Sequence, residues 1–311
     1  MLSVIALCAT SSFVATLHAQ QVADKNYVAS IGAFKWPANT GPRLVLDENH
    51  HNFHKLDGRY FAFGKMAQAV GFRVAPFRKE FTDASLKDVD VLVIANALDK
   101  SNDGMNGGNW KLPTPSAFSA SAIAAVKRFV ERGGGLLLVA DHMPFAGAAQ
   151  DLGKAIGVEF ANGFAFDSYA ANASSILVYR RDEGLVSPLE LEPRVDSIVA
   201  FTGSAFRLIG DGLPLMQLPK TTRIWTPKTA WVFGDTVASI PGDGYLQGAA
   251  LNLGKGRVVV LGEAAMLSAQ RQGPKKLPMG MNEARAAQNA KFAASLLRWV
   301  SGEGAPVANN K

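Results

Sequence analysis

Gly133-Gly-Gly-Leu-Leu-Leu-Val-Ala-Asp-His142 is the stretch that decides how this chain folds. Its glycines stop a helix. That helix starts after Ser119, a natural N-cap, and runs to about Arg132 with Ile123, Val126, Phe129 and Val130 on its inner face. Leu136 to Ala140 is then apolar without alternation, the pattern of a strand buried on both faces. Asp141 and His142 follow where such a strand leaves the core.

Outward from this stretch the pattern repeats. Arg43-Leu-Val-Leu46 reads as a first buried strand, and Tyr60 to Val70 has helical spacing with Gly71 as C-cap. Phe72-Arg-Val-Ala75 and Val89-Asp-Val-Leu-Val-Ile-Ala95 read as the second and third strands, and a helix is expected from about Ala146 to Ile156. Strands alternating with helices through short connections predict an α/β fold with a mostly parallel, doubly wound sheet. From about Phe160 to Gly254 the texture changes to a β-rich elaboration. Short runs recur there at Ser175 to Tyr179, Ser197 to Phe201 and Thr229 to Phe233. Gly254-Lys-Gly256 predicts a hairpin turn, and an amphipathic helix is expected from about Glu283 to Val300. The predicted organisation is a signal peptide over 1–19, an extended lead-in over 20–42, one α/β domain over 43–302 containing the elaboration (160–254), and a flexible tail over 303–311.

The bulk numbers suit a globular protein. The chain has 311 residues, 48% hydrophobic and 19% charged, with a formal net charge of +6. The first twenty residues carry no Lys, Arg, Asp or Glu and hold an apolar run from Val4 to Val14. Small residues near Ala19 resemble a signal-peptidase site, which predicts a periplasmic or secreted protein with no stable membrane span after processing. A transmembrane anchor is the rival reading, although Ser11, Ser12, Thr16 and His18 interrupt the run. The single cysteine, Cys8, lies inside this leader, so a processed chain has no thiol for a disulfide, a zinc-thiolate site or a nucleophile. The basic residues are scattered, with no stripe interleaved with aromatics, so nucleic acid is not an expected partner.

The candidate site comes from the histidines. Of the five, His50, His51 and His54 follow the first strand and His142 follows the fourth. Ligands of open α/β sheets bind outside the carboxyl ends of the strands. Asp47, Glu48, Asn96, Asp141 and Glu263 also stand at strand ends and are expected to converge there with the histidines. The bland alternative is that each only satisfies loop backbone groups. If 50–54 is helical, His50 and His54 share a face, and with Asp141 they offer a ligand set to a divalent metal. No strong zinc spacing is present and no other cofactor is expected. There is no Gly-x-Ser-x-Gly elbow, and no glycine-rich loop opens a helix. A hydrolase would therefore use Asp141, His142 and Glu263 as its acid and base groups. Trp110 to Ser116 and Gly280-Met-Asn282 are loop segments expected to line the same cleft, and the loop from Asp99 is a candidate lid. Gln270, Gln288 and Asn289 are candidates for bonding a sugar or amide.

The chain resembles the class I glutamine amidotransferase-like superfamily, in particular its exported bacterial branch related to gliding-motility and intraflagellar-transport type domains. The resemblance rests on Val45 to His54, Asp90 to Ala97, Gly133 to Phe145, Gly254 to Met266 and Gly280-Met-Asn282, and spans roughly Arg43 to Gly302. It implies a flavodoxin-like sheet whose fourth strand leads to the position of a nucleophile elbow. Amidotransferases place a cysteine there, whereas this chain has Ala140-Asp141-His142. Glutamine hydrolysis by a thiol is thus not expected. The resemblance favours a binding or scaffold module of the cell envelope, for a polar small molecule, a glycan or an envelope protein, over a cysteine-free hydrolase.

Overall fold

The computed structural model describes residues 21–32, 35–105, 109–167, 176–181, 183–186, 189, 194–233 and 236–307. The predicted signal peptide, with Cys8, lies outside them. No helix among the described residues is long and apolar enough to cross a membrane.

Along the first half run β1 (Gln21–Ala23), β2 (Arg43–Asp47), α1 (Phe61–Ala69), β3 (Arg73–Phe77), β4 (Val91–Ala95), α2 (Ala120–Glu131), β5 (Gly135–Val139), α3 (Phe145–Ala148) and α4 (Gln150–Ile156). The β-rich part holds β6 (Val158–Ala161), β7 (Phe164–Asp167), β8 (Ile176–Arg180), β9 (Ser197–Phe201), β10 (Ala205–Leu208), β11 (Leu213–Gln217), β12 (Thr222–Trp225) and β13 (Ser239–Pro241). The chain closes with β14 (Leu246–Leu253), β15 (Gly256–Leu261), β16 (Ala269–Gln272), β17 (Leu277–Gly280) and α5 (Asn289–Val300).

The main sheet has the order β3-β2-β4-β5-β15-β14-β10-β6, with β11 also on β14. The first five strands are mutually parallel. From β14 onward the pairing is antiparallel. The architecture is therefore α/β with a large mixed sheet. Every residue of β4 and β5 is buried, as their unbroken apolar runs require. Alternate residues serve opposite faces. Leu44, Leu46, Val91, Val93, Leu137 and Val139 pack with α1 and α5. Val45, Leu92, Ile94, Leu136 and Leu138 pack with α2 and α4.

The Ser119 cap forms as expected, its hydroxyl accepting the Ala122 N–H at 3.2 Å. Gly133, at φ +120°, ends α2. Gly254 turns the β14–β15 hairpin at φ +60°. Three expectations change. The helix expected over 146–156 is two short pieces, α3 and α4. Thr229 to Phe233 is a turn, with Trp231 at φ +66° and Val232 N–H bonded to the Thr229 carbonyl. Part of the lead-in is a strand, since β1 pairs with β16, which in turn pairs with β17.

Packing is tightest where the hairpin meets the end of α2. A Cβ on Gly256 would lie 2.1 Å from the Val130 carbonyl oxygen and 2.3 Å from that of Gly134. A Cβ on Gly210 would meet nothing within 4 Å. Gly256→Ala is therefore expected to cost about 2 kcal/mol or more in urea unfolding, and Gly210→Ala to stay within about 0.5 kcal/mol. Equal stability of the two variants would contradict this packing.

Candidate functional site

The strand ends divide into loop-builders and a true rim. After β2, Asp47 is fully buried and works locally. Its carboxylate accepts the Asn49 N–H at 3.2 Å and the Asn52 side-chain N–H at 3.0 Å, and lies 3.0 Å from His50 Nδ1. Glu48 accepts the Leu56 N–H at 2.9 Å and a two-point contact from Arg78 at 3.1 and 2.8 Å. The His50 ring is held between Phe81 and Phe118, with centroids at 4.4 and 5.0 Å. Asp47, Glu48 and His50 therefore shape the loop.

The segment 50–54 is irregular, not helical, because His51 takes a left-handed φ of +49°. This turns the three histidines apart. His51 reaches outward to Asp103 at 2.7 Å. His54 is buried with its ring 4.5 Å from that of Tyr60. Among the described residues no group of three or more His, Cys, Asp or Glu is placed to hold a metal ion, so His50, His54 and Asp141 are not brought together as a ligand set.

At the ends of β4 and β5 the rim is continuous. Asn96, at φ +51°, accepts the Asp141 N–H on its side-chain oxygen at 2.9 Å. Its own carbonyl accepts the Phe53 N–H at 2.9 Å. Asp141 is buried and accepts the His142 N–H at 2.7 Å. His142 Nδ1 lies 2.7 Å from the Met143 carbonyl oxygen. A carbonyl only accepts, so Nδ1 donates this bond and Nε2 is the ring nitrogen that it leaves uncommitted. The His142 ring stacks on Phe164 (4.8 Å, 12°) and meets the edge of Trp231 (4.6 Å).

Beneath this rim lies a buried acid. Glu263 is fully buried, and its two carboxylate oxygens accept the N–H groups of Ala265 and Met266 at 2.6 and 2.7 Å, capping a short 3₁₀ turn (Ala265–Leu267). Burial, then the charge of Asp141, push its carboxyl well above the usual range, against the pull of those N–H donors. The neighbouring Tyr60 and Tyr179 are pushed up by burial, and further by the negative charge of Glu263. Tyr60 donates to the Ala264 carbonyl at 3.1 Å and Tyr179 to Gln247 Oε1 at 2.8 Å. Burial, then Arg59 and His142, drive the pKa of His54 well below its usual value and keep it neutral.

Asp141, His142, Glu263 and His54 thus share one electrostatic neighbourhood. They do not form a relay, because the His142 Nδ1 bond goes to a carbonyl and the Glu263 carboxylate is taken by backbone. Ser204 is fully buried and donates to the Ala140 carbonyl at 2.7 Å.

Other expected lining residues lie elsewhere. Asn282 donates to Asp24 and to the Gln270 carbonyl, both at 2.9 Å, and so clamps β1. Gln270 is buried, Asn289 bonds Val199, and Gln288 accepts the Asp196 N–H. Trp110 does reach the rim, 6.2 Å from Phe145.

Sequence reasoning missed Arg59, Phe53 and Trp231. Arg59 lies over the Phe53 ring at 3.8 Å, and Phe53 meets Phe145 at 5.4 Å. Phe53, Trp231 and Phe233 remain 39, 46 and 40% exposed, unusual for large apolar rings. The readable signal was aromatic residues beside turn residues at strand ends.

Two clefts of about 510 and 520 Å³ lie away from this rim. The first is lined by residues preceding the parallel strands, including Pro42, Asp90 and Gly134. The second sits beside β1, with Asp24, Arg271 and Asn282. The rim differs from both in presenting exposed rings.

No family model and no curated protein matches the chain. Among solved structures it is similar to the N-terminal domain of IFT52 (mmIFT52), at a TM-score of 0.60 and 12% identity over 85% of this chain and 100% of that one. It also matches a ThuA-like protein from Bacteroides uniformis, with a TM-score of 0.39 and 14% identity over 88% of this chain and 95% of that one. A cytoplasmic protein from Salmonella typhimurium LT2 scores 0.45 at 11% identity over 83% of this chain and 96% of that one. At such identity the likeness to the IFT52 domain shows the fold alone.

The raised pKa of Glu263 has a measurable sign. The folded state holds this proton more tightly than the unfolded chain. The stability it contributes is full below the ordinary value of 4.5 and falls as pH rises through the raised folded value. In urea unfolding at a series of pH values, the wild-type advantage over Glu263→Gln is expected to shrink as pH rises above that ordinary range. A difference that stays flat or grows would contradict a proton held at Glu263.

Proposed function

We propose that the chain is an exported binding module of the cell envelope that takes a glycan at the carboxyl edge of its parallel strands. The observation that carries this reading is the row of exposed rings beside His142. The apolar face of a pyranose packs on an aromatic ring, while its hydroxyls need a few fixed donors and acceptors. Trp231, Phe233 and Phe53 offer the rings. His142 offers Nε2 as a fixed polar group, since its other nitrogen is committed to a carbonyl. The charge-free apolar leader supports export.

The finer fold reading belongs with this proposal. The parallel strands run β3-β2-β4-β5-β15, which in chain order is second, first, third, fourth, fifth. That is a flavodoxin-like order. It suits the amidotransferase-like superfamily named above, with Ala140-Asp141-His142 where a cysteine would stand. A binding role is favoured over a cysteine-free hydrolase by two features. The Glu263 carboxylate is occupied by backbone donors, and Ser204 is sealed in the core.

The test is a printed glycan array probed with the full chain. We expect retention on a subset of glycans, and Trp231→Ala to weaken it by about tenfold or more, as loss of an aromatic anchor does. His142→Ala should weaken it without changing thermal stability. Retention that survives Trp231→Ala would remove the platform, and retention of no glycan would remove the function.

A further inference from the structure

Arg59 is the group the neutral-sugar reading leaves unused. It is half-buried, and among the described residues it has neither a hydrogen-bond nor an ion-pair partner. Its Nε is shut off from solvent with no acceptor. Two half-buried arginines elsewhere in the chain are satisfied: Arg223 by the Ser239 hydroxyl at 2.8 Å, and Arg257 by carbonyls of Trp299 and Glu303 at 3.0 and 2.6 Å. A guanidinium whose N–H is buried without an acceptor carries a standing desolvation cost.

Its position is not random. The guanidinium carbon lies 3.8 Å from the Phe53 ring centre, which fixes its plane. From Phe53 the ring contacts pass through the buried Phe145 (5.4 Å) to His142 (5.6 Å) and on to Trp231 (4.6 Å). Arg59 therefore stands at the end of the proposed platform.

We infer that the glycan bound on this platform carries a carboxylate, as a uronic acid does, and that Arg59 receives it through its two terminal nitrogens, which unlike Nε are not sealed from solvent. The inference rests on the proposed platform. Guanidinium and carboxylate are both planar and match two points to two points, which a lysine cannot reproduce.

The probes are an oligogalacturonate and its fully methyl-esterified form, titrated calorimetrically against the full chain. The acid is expected to bind about tenfold or more tighter than the ester, the effect of a charged hydrogen bond. Arg59→Gln should bring the acid down to the affinity of the ester and leave the ester unchanged. Arg59→Lys should recover only part of the preference. Thermal melts of both variants check folding. Equal binding of acid and ester by the wild type would overturn the carboxylate site while leaving the platform standing. A preference that persists in Arg59→Gln, or tighter binding of a sulfated oligosaccharide than of the uronate, would also overturn it. If neither probe binds while the array shows retention on neutral glycans alone, the inference fails and the proposed function survives. Trp231→Ala losing acid and ester together is the outcome that supports both.

Discussion

One side chain ties the rim together. Asn96 sits at the end of β4 in the left-handed region, a conformation that asparagine tolerates better than most residues. Its N–H donates to the Val139 carbonyl on β5, and its side-chain oxygen accepts the Asp141 N–H. Its carbonyl accepts the N–H of Phe53, from the loop after β2. Three strand exits are thus held at hydrogen-bond distance by one residue. A parallel sheet buried on both faces leaves its carboxyl ends as the place where polar side chains can gather. Asn96 turns that tendency into fixed positions, and both Phe53 and Asp141–His142 inherit their placement from it.

Depth then sorts the chemistry. The buried layer holds Glu263, Tyr60 and Tyr179, each with its hydrogen bonds satisfied inside the protein. These groups stabilise one arrangement of the core and have no free atom to offer. The outer layer holds rings and nitrogens whose capacity is incomplete: His142 with one nitrogen committed, and Arg59 with a buried N–H unpaired. The proposed binding role draws on this outer layer.

How much of this was legible follows the same physics. Leu136 to Ala140 and Val91 to Ala95 could be read because a doubly buried strand admits no polar residue to blur its pattern. The Ser119 cap and the Gly254 turn could be read because each depends on a local property of one residue. Thr229 to Phe233 was misread since its apolar texture resembles a strand, while the backbone reverses at Trp231 and leaves the rings outside. The histidines were misread as one group. Their spacing carried no information about His51, whose left-handed backbone sends His50 and His54 to different neighbours. Arg59 was invisible, because nothing in a sequence distinguishes a paired arginine from an unpaired one. Only the carbonyls and carboxylates around it do that.

That last point also bears on specificity. Ring stacking is broad, since most pyranoses present an apolar face, and it sets affinity more than choice. An unpaired charge discriminates, because burying it against a neutral group costs what a carboxylate would restore. Arg59 is anchored on Phe53, and Phe53 is anchored by Asn96. In the proposed site the charge is therefore mounted on a ring that Asn96 positions, and affinity and selectivity would be coupled through one backbone bond, the Phe53 N–H to the Asn96 carbonyl. A change at Asn96 would displace both together, whereas a change at Arg59 would alter selectivity and leave the stacking surface in place.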